Sequence, residues 1–159
     1  MLNLSTSLCR LAYRLGARHV HLTDHDPKSL SHMRHDCAKN GVEANVVSLD
    51  WYRPEVDFIT SREDLMVIAG DVLYKRSLIA PFVTTTKLLL QSQGSAMLLC
   101  HVPRAGVSQE EVQLAAREHG LQIEGIAREL WEAESLRLHA SQEEIDSAEL
   151  YSLTTPDLK

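Results

Sequence analysis

The sequence predicts an α/β fold, a doubly wound sheet with an antiparallel C-terminal edge, and three observations carry that prediction. Apolar stretches of strand length alternate with segments of helical periodicity along almost the whole chain. Two strands, "DLMVIAG" and "SAMLLCHV", are apolar on both faces, the pattern of strands buried between helical layers. The last two strands follow one another without a proper crossover helix, which makes the final pair antiparallel.

Each element has its own signal. Leu4, Leu8, Leu11, Ala12 and Leu15 recur at spacings of three and four, so residues 4–15 read as an amphipathic helix that Gly16 stops. In "ARHVHLTD" Val20 and Leu22 alternate with His19 and His21 in strand fashion. The next segment, "DPKSLSHMRHDCAKNG", has Asp26 to cap a helix, Pro27 in its first turn, Leu30, Met33 and Cys37 on one face, and Gly41 just beyond its end. "EANVVSLDW" and "DLMVIAG" are strands, and residues 76–93 form a helix whose Pro81 must lie in the first turn or kink it. After the strand "SAMLLCHV" comes a helix, "SQEEVQLAAREHG", with a capping box from Ser108 to Glu111. "LQIEGIARELW" and "AELYSLT" are the closing strands, joined by a polar stretch around residues 132–147.

Composition excludes several functions. The 159 residues suit one domain, residues 1–159, and 44% apolar content is enough for a core. The net charge of -6 is spread along the chain without a block of like charges, which argues against a nucleic-acid arm or a polybasic membrane patch. No apolar run approaches the ~20 residues of a membrane span, and arginines interrupt the N-terminal segment where a signal peptide would be apolar. A cytoplasmic or nuclear protein is expected, with no membrane or nucleic-acid partner. Cys9, Cys37 and Cys100 form no C-x-x-C pair, so the expectation is reduced, partly buried thiols rather than a disulfide framework or zinc site. His19, His21, His25, His32 and His35 cluster without a completing Cys or carboxylate, and solvated histidines are expected, with no metal.

Doubly wound sheets bind ligands at the carboxyl ends of their strands. Three successive strands here end in Thr23-Asp24, Asp50-Trp51 and Gly70-Asp71, with Tyr74 three residues after the last carboxylate. An Asp in the first position can accept both ribose hydroxyls, and a Trp in the second can lie against an adenine ring. Plainer roles stay open at this point: Asp24 as the start of an Asx turn, Trp51 as core, Asp71 and Tyr74 as a strand-end cap and a packed aromatic.

In order, "GARHVHLTDHDPKSL", "LDW", "GDVLY", "GSAMLLC" and "LAAREHGLQIEGI" resemble the seven-strand, Rossmann-like, S-adenosylmethionine-dependent protein-lysine methyltransferases, in the branch that modifies chaperones, valosin-containing protein, elongation factors and calmodulin. The most specific element is the D-x-x-Y at Asp71-Val72-Leu73-Tyr74. The resemblance implies S-adenosyl-L-methionine as cofactor and a protein substrate presenting a lysine. It assigns Asp24 to the ribose, Trp51 to the adenine side, Asp50 to the cofactor pocket beside it, Gly70 to backbone contact with the cofactor, and Asp71 with Tyr74 to the lysine channel. There the two side chains would orient the substrate ammonium, while an apolar channel would favour its loss of a proton.

The family's first strand carries an acidic residue and a glycine-rich loop, E-x-G-x-G-x-G in outline, and no such stretch stands here. Met1 lies almost directly before the helix that follows that loop. The expectation is therefore a methyltransferase-like domain incomplete at its N-terminus, lacking the first strand and its glycine loop, with cofactor binding weakened or lost in the chain as written. Two function classes remain open: a protein-lysine N-methyltransferase, and a non-catalytic methyltransferase-like interaction module.

Overall fold

The computed structural model describes residues 4–59, 64–92, 94–103, 106–130 and 142–156. They belong to two compact units, Met1–Phe58 and Ile59–Lys159, each with its own sheet.

The first unit runs α1 (Leu4–Arg14), β1 (His21–Asp24), α2 (Pro27–Asn40) and β2 (Asn45–Ser48), with β1 and β2 paired in parallel. Helix α2 begins and ends where its sequence signals stand. The Asp26 carboxylate accepts the Ser29 amide at 2.9 Å, Pro27 occupies the first turn, and Gly41 closes the helix in the left-handed region at φ 60°. Leu30 and Cys37 are buried on its inner face. Helix α1 packs on α2 and buries Cys9, yet Leu11 and Leu15 are 51% and 79% exposed, so its apolar stripe is only partly covered.

His21 departs from the expectation of solvated histidines. Its ring lies 5.4 Å from that of Phe58, and its Nδ1 is buried without a hydrogen-bond partner. Burial, and then the charge of His19, pushes its pKa down. The other four histidines of the cluster are exposed.

The second unit contains β3 (Met66–Gly70), a 3₁₀ turn (Arg76–Leu78), α3 (Ile79–Leu89), β4 (Ala96–His101), α4 (Gln109–Glu118), β5 (Gln122–Gly125), α5 (Gln142–Ser147) and β6 (Glu149–Thr154). Its sheet has the order β3-β4-β6-β5. Strands β3 and β4 are parallel, and β6 runs antiparallel to both β4 and the edge strand β5. The mixed sheet with helices is the α/β architecture the alternation predicts. Pro81 falls in the first turn of α3, where its missing N–H breaks no ladder. Ser108 and Glu111 form the reciprocal capping box at the start of α4.

Three expectations are corrected in this unit. Strand β3 is not sheathed on both faces: it is an edge strand, with Met66 59% and Ile68 55% exposed, while Ala69 is buried on the opposite face. Strand β5 ends at Gly125, and residues 128–130 make a 3₁₀ turn where a longer strand was expected. The polar linker before β6 contains a short helix, α5, anchored by buried Ile145; residues 131–141 of that linker lie outside the described residues. Arg128 holds the end of α5 by donating hydrogen bonds to the carbonyls of Ile145, Asp146 and Ala148. Strand β4 is buried on one face, with Met97, Leu99 and His101 no more than 1% exposed, and only half-buried on the other, at Ala96, Leu98 and Cys100. All three cysteines are free thiols, two buried and Cys100 half-buried. Among the described residues no helix is long and apolar enough to cross a membrane.

Candidate active site

The parallel register of β1 and β2 pairs Asp24 with Ser48, and the Leu49 amide donates to the Asp24 carbonyl at 2.9 Å. Asp24 and the Asp50-Trp51 pair therefore leave the same end of this two-stranded sheet. Asp24 does open an Asx turn: its Oδ1 accepts the Asp26 amide at 2.9 Å, with His25 Nδ1 at 3.5 Å. Its second oxygen, Oδ2, accepts no hydrogen bond among the described residues. A half-buried carboxylate held by one oxygen keeps the other as a spare acceptor.

Asp50 is more exposed and uses its Oδ1 to accept the Tyr52 amide at 2.9 Å. Leu49, 5% exposed, anchors this strand end, and Trp51 is half-buried beside it. A partly covered Trp next to a fixed carboxylate can offer a ring face to a flat aromatic ligand.

In the second unit, Gly70, Asp71 and Tyr74 lie together at the end of β3. Gly70 pairs with Cys100 across the parallel ladder, and a side chain added at Gly70 would meet no atom within 4 Å. Its backbone is open to approach. Asp71 has φ 54°, the left-handed region, and is alone in this among the described non-glycine residues. Asp tolerates that conformation better than most residues, at a cost that the surrounding structure must offset. Here the Asp71 amide donates to the Cys100 carbonyl at 3.0 Å, and Leu73 is 1% exposed. The backbone bond and the buried Leu73 hold the segment from both sides.

The physical meaning of D-x-x-Y is visible in that burial pattern. Leu73 is buried and Val72 half-buried, while Asp71 and Tyr74 face solvent, with Tyr74 45% exposed. One oxygen acceptor and one aromatic face are set at the same strand end. Burial, and secondarily the Asp71 charge, pushes the Cys100 thiol up, away from a reactive thiolate.

Neighbours of this segment were not legible as site residues. The Lys75 ammonium lies 5.9 Å from the Tyr74 ring centroid. Arg76 pairs with Glu111, whose Oε2 also accepts the Ser108 amide at 3.2 Å. The capping box could be read from the sequence, but nothing local pointed from Glu111 back to Arg76. Among the described residues no group of three or more His, Cys, Asp or Glu side chains is arranged to hold a metal ion.

Comparison with known proteins adds to this geometry. No curated protein matches the chain. Among solved structures, a TehB-like SAM-dependent methyltransferase from Corynebacterium glutamicum has a TM-score of 0.67 at 15% identity, with 97% of this chain and 74% of that one covered. An S-adenosylmethionine-dependent methyltransferase from Clostridium acetobutylicum has a TM-score of 0.66 at 9% identity, covering 96% and 79%. A precorrin-6y C5,15-methyltransferase from Geobacter metallireducens gives 0.60 at 13%, covering 96% and 74%. At such identities the likeness establishes the fold, a Rossmann-like methyltransferase architecture. A family model described as lysine methyltransferase matches residues 6–112, a segment that includes Asp24, Asp50, Trp51, Gly70, Asp71 and Tyr74. That match takes in well over half of the sequence, and the chain belongs to the lysine methyltransferase family.

Proposed function

We propose that the protein is an S-adenosylmethionine-dependent protein-lysine N-methyltransferase, with Asp24, Asp50, Trp51 and Gly70 on the cofactor side and Asp71 with Tyr74 on the lysine. The observation that carries this reading is the D-x-x-Y segment, inside the family match, with its carboxylate and ring exposed and Leu73 buried beneath them. Family membership and the likeness to methyltransferases support the activity class. The Asp24 carboxylate supports the cofactor.

Within the first unit, the acceptor at Asp24 and the ring of Trp51 suit the adenosine part of this cofactor. Ribose hydroxyls are donors without charge, and Asp24 Oδ2 is an acceptor left over by the Asx turn. Trp51 supplies a flat apolar surface for a purine. Gly70 supplies bare backbone. When bound, S-adenosylmethionine provides an activated methyl group on a sulfonium. Everything else falls to the chain's own residues. Asp71 accepts a hydrogen bond from the substrate ammonium, and Tyr74 offers it a ring face and a hydroxyl. Both are exposed in the free protein, so the low-polarity surroundings that favour a neutral amine come from the protein partner closing over them. Covering the ammonium lowers its pKa and releases its proton to solvent, which leaves a lone pair aligned for in-line attack.

A protein substrate, and no membrane or nucleic acid, suits the distributed net charge of -6. The cytoplasm or nucleus is the compartment this reading assigns. Incubation of the protein with cell lysate and radiolabelled S-adenosylmethionine, followed by hydrolysis and amino-acid analysis, should place the label in methyllysine. Label on another residue, or in small molecules, would overturn the lysine assignment. A folded protein that transfers nothing would leave the non-catalytic module.

A further inference from the structure

Two cations follow Tyr74 in the chain, and the structure treats them differently. Arg76 is held by Glu111, which the Ser108 capping box in turn fixes at the start of α4. Lys75 forms no ion pair among the described residues. Its backbone is extended, at φ -147° and ψ 139°, and its ammonium lies 5.9 Å from the Tyr74 ring centroid. A lysine ammonium is thus already at the ring that, in the reading above, receives a lysine ammonium.

We propose that Lys75 is a specificity-determining residue, an intramolecular competitor for the substrate lysine at Tyr74. The inference rests on Asp71 and Tyr74 being the lysine-binding pair. Like charges cannot share one exposed ring face without repulsion, so an incoming ammonium must displace Lys75 or tolerate it nearby. With Arg76 fixed by Glu111, Lys75 is the cation free to move aside. A substrate that brings a carboxylate next to its lysine gives Lys75 a new partner and draws it off the ring. The site therefore favours lysines flanked by an acidic residue. An exposed cation–π contact is worth about two- to fivefold in affinity, and that is the size of the competition.

The test uses the full chain with isotope-labelled tyrosine rings and needs no cofactor. N-acetyl-lysine methylamide is titrated while the Tyr74 resonances are followed by NMR. Lys75→Gln should tighten binding about two- to fivefold, and Lys75→Arg, which keeps the cation, should stay near wild type. A second probe, N-acetyl-glutamyl-lysine methylamide, should gain more over the first in wild type than in Lys75→Gln. Equal affinities in wild type and Lys75→Gln, with Tyr74 still responding, would overturn the competitor role and leave the lysine site standing. Tyr74 resonances that respond to neither probe in any form would overturn the site itself and the competitor with it. Lys75 is exposed, so its replacement does not put the fold at issue.

Discussion

Two strand ends carry the two central carboxylates, and they are built by opposite means. At the end of β1, Asp24 sits in ordinary backbone, spends one oxygen on the Asp26 amide, and leads into a helix capped by Asp26 and Pro27. At the end of β3, Asp71 takes a left-handed backbone at φ 54° and leads through a 3₁₀ turn into α3 with no side-chain cap. The first carboxylate is oriented by its side chain, half-buried, with one acceptor spare. The second is oriented by its backbone and is exposed. A fixed acceptor suits uncharged hydroxyls of a small molecule, whereas an exposed carboxylate beside a ring suits a charged group delivered by another protein.

The largest effect that bears on this contrast comes from Leu73→Ala. Leu73, 1% exposed, holds the D-x-x-Y segment down, so its truncation should cost about 2 to 5 kcal/mol, read as a fall in thermal midpoint, and should depress methyl transfer further than stability alone explains. Transfer that only follows stability would show that the anchor does not position Asp71. Next comes Asp24→Ala, which removes a charged acceptor worth about 1.5 to 3 kcal/mol and should weaken S-adenosylmethionine roughly tenfold to a hundredfold by calorimetric titration. An unchanged affinity would reduce Asp24 to its Asx turn. Tyr74→Phe keeps the ring and loses the hydroxyl, and should slow transfer about two- to tenfold with the melting curve unmoved.

The smallest effect is a pH dependence at the β1 end. The Ser29 amide holds the Asp26 carboxyl below its ordinary range against the opposing effect of burial, with the Ser29 hydroxyl adding to the amide's effect. A depressed folded pKa means that the cap stabilises above the ordinary carboxylate value and is lost as pH falls through the folded one. The thermal midpoint should drop between about pH 5 and pH 3 in wild type, and less steeply in Asp26→Asn, which caps without titrating. Parallel slopes would place the acid sensitivity elsewhere.

The contrast was only half legible in the sequence. Asp26, Pro27 and Gly41 mark α2 because capping chemistry is local, and Ser108 with Glu111 mark α4 for the same reason. The strand ends at Asp24, Asp50 and Asp71 could be placed because alternation fixes where strands stop. Exposure could not. Met66 and Ile68 read as core, but burial depends on whether a neighbour covers that face, and β3 is an edge. Helix α5 was hidden because six polar-rich residues with one buried Ile145 make no periodic signal. His21 read as solvated, but its ring meets Phe58 and its Nδ1 is buried. The Asp71 backbone conformation and the Arg76–Glu111 pair depend on tertiary contacts that no short window contains.

The division of labour between the two carboxylates is tested most directly by Asp71→Asn, with methyl transfer and cofactor affinity measured on the same preparation. Asn tolerates the left-handed backbone and keeps the side chain's size, so the strand end should survive where Ala would add strain. Methyl transfer should fall about a hundredfold or more, while S-adenosylmethionine affinity stays within about threefold of wild type. Wild-type transfer by the folded variant, or a loss of cofactor affinity as large as that of Asp24→Ala, would contradict the assignment of Asp71 to the lysine.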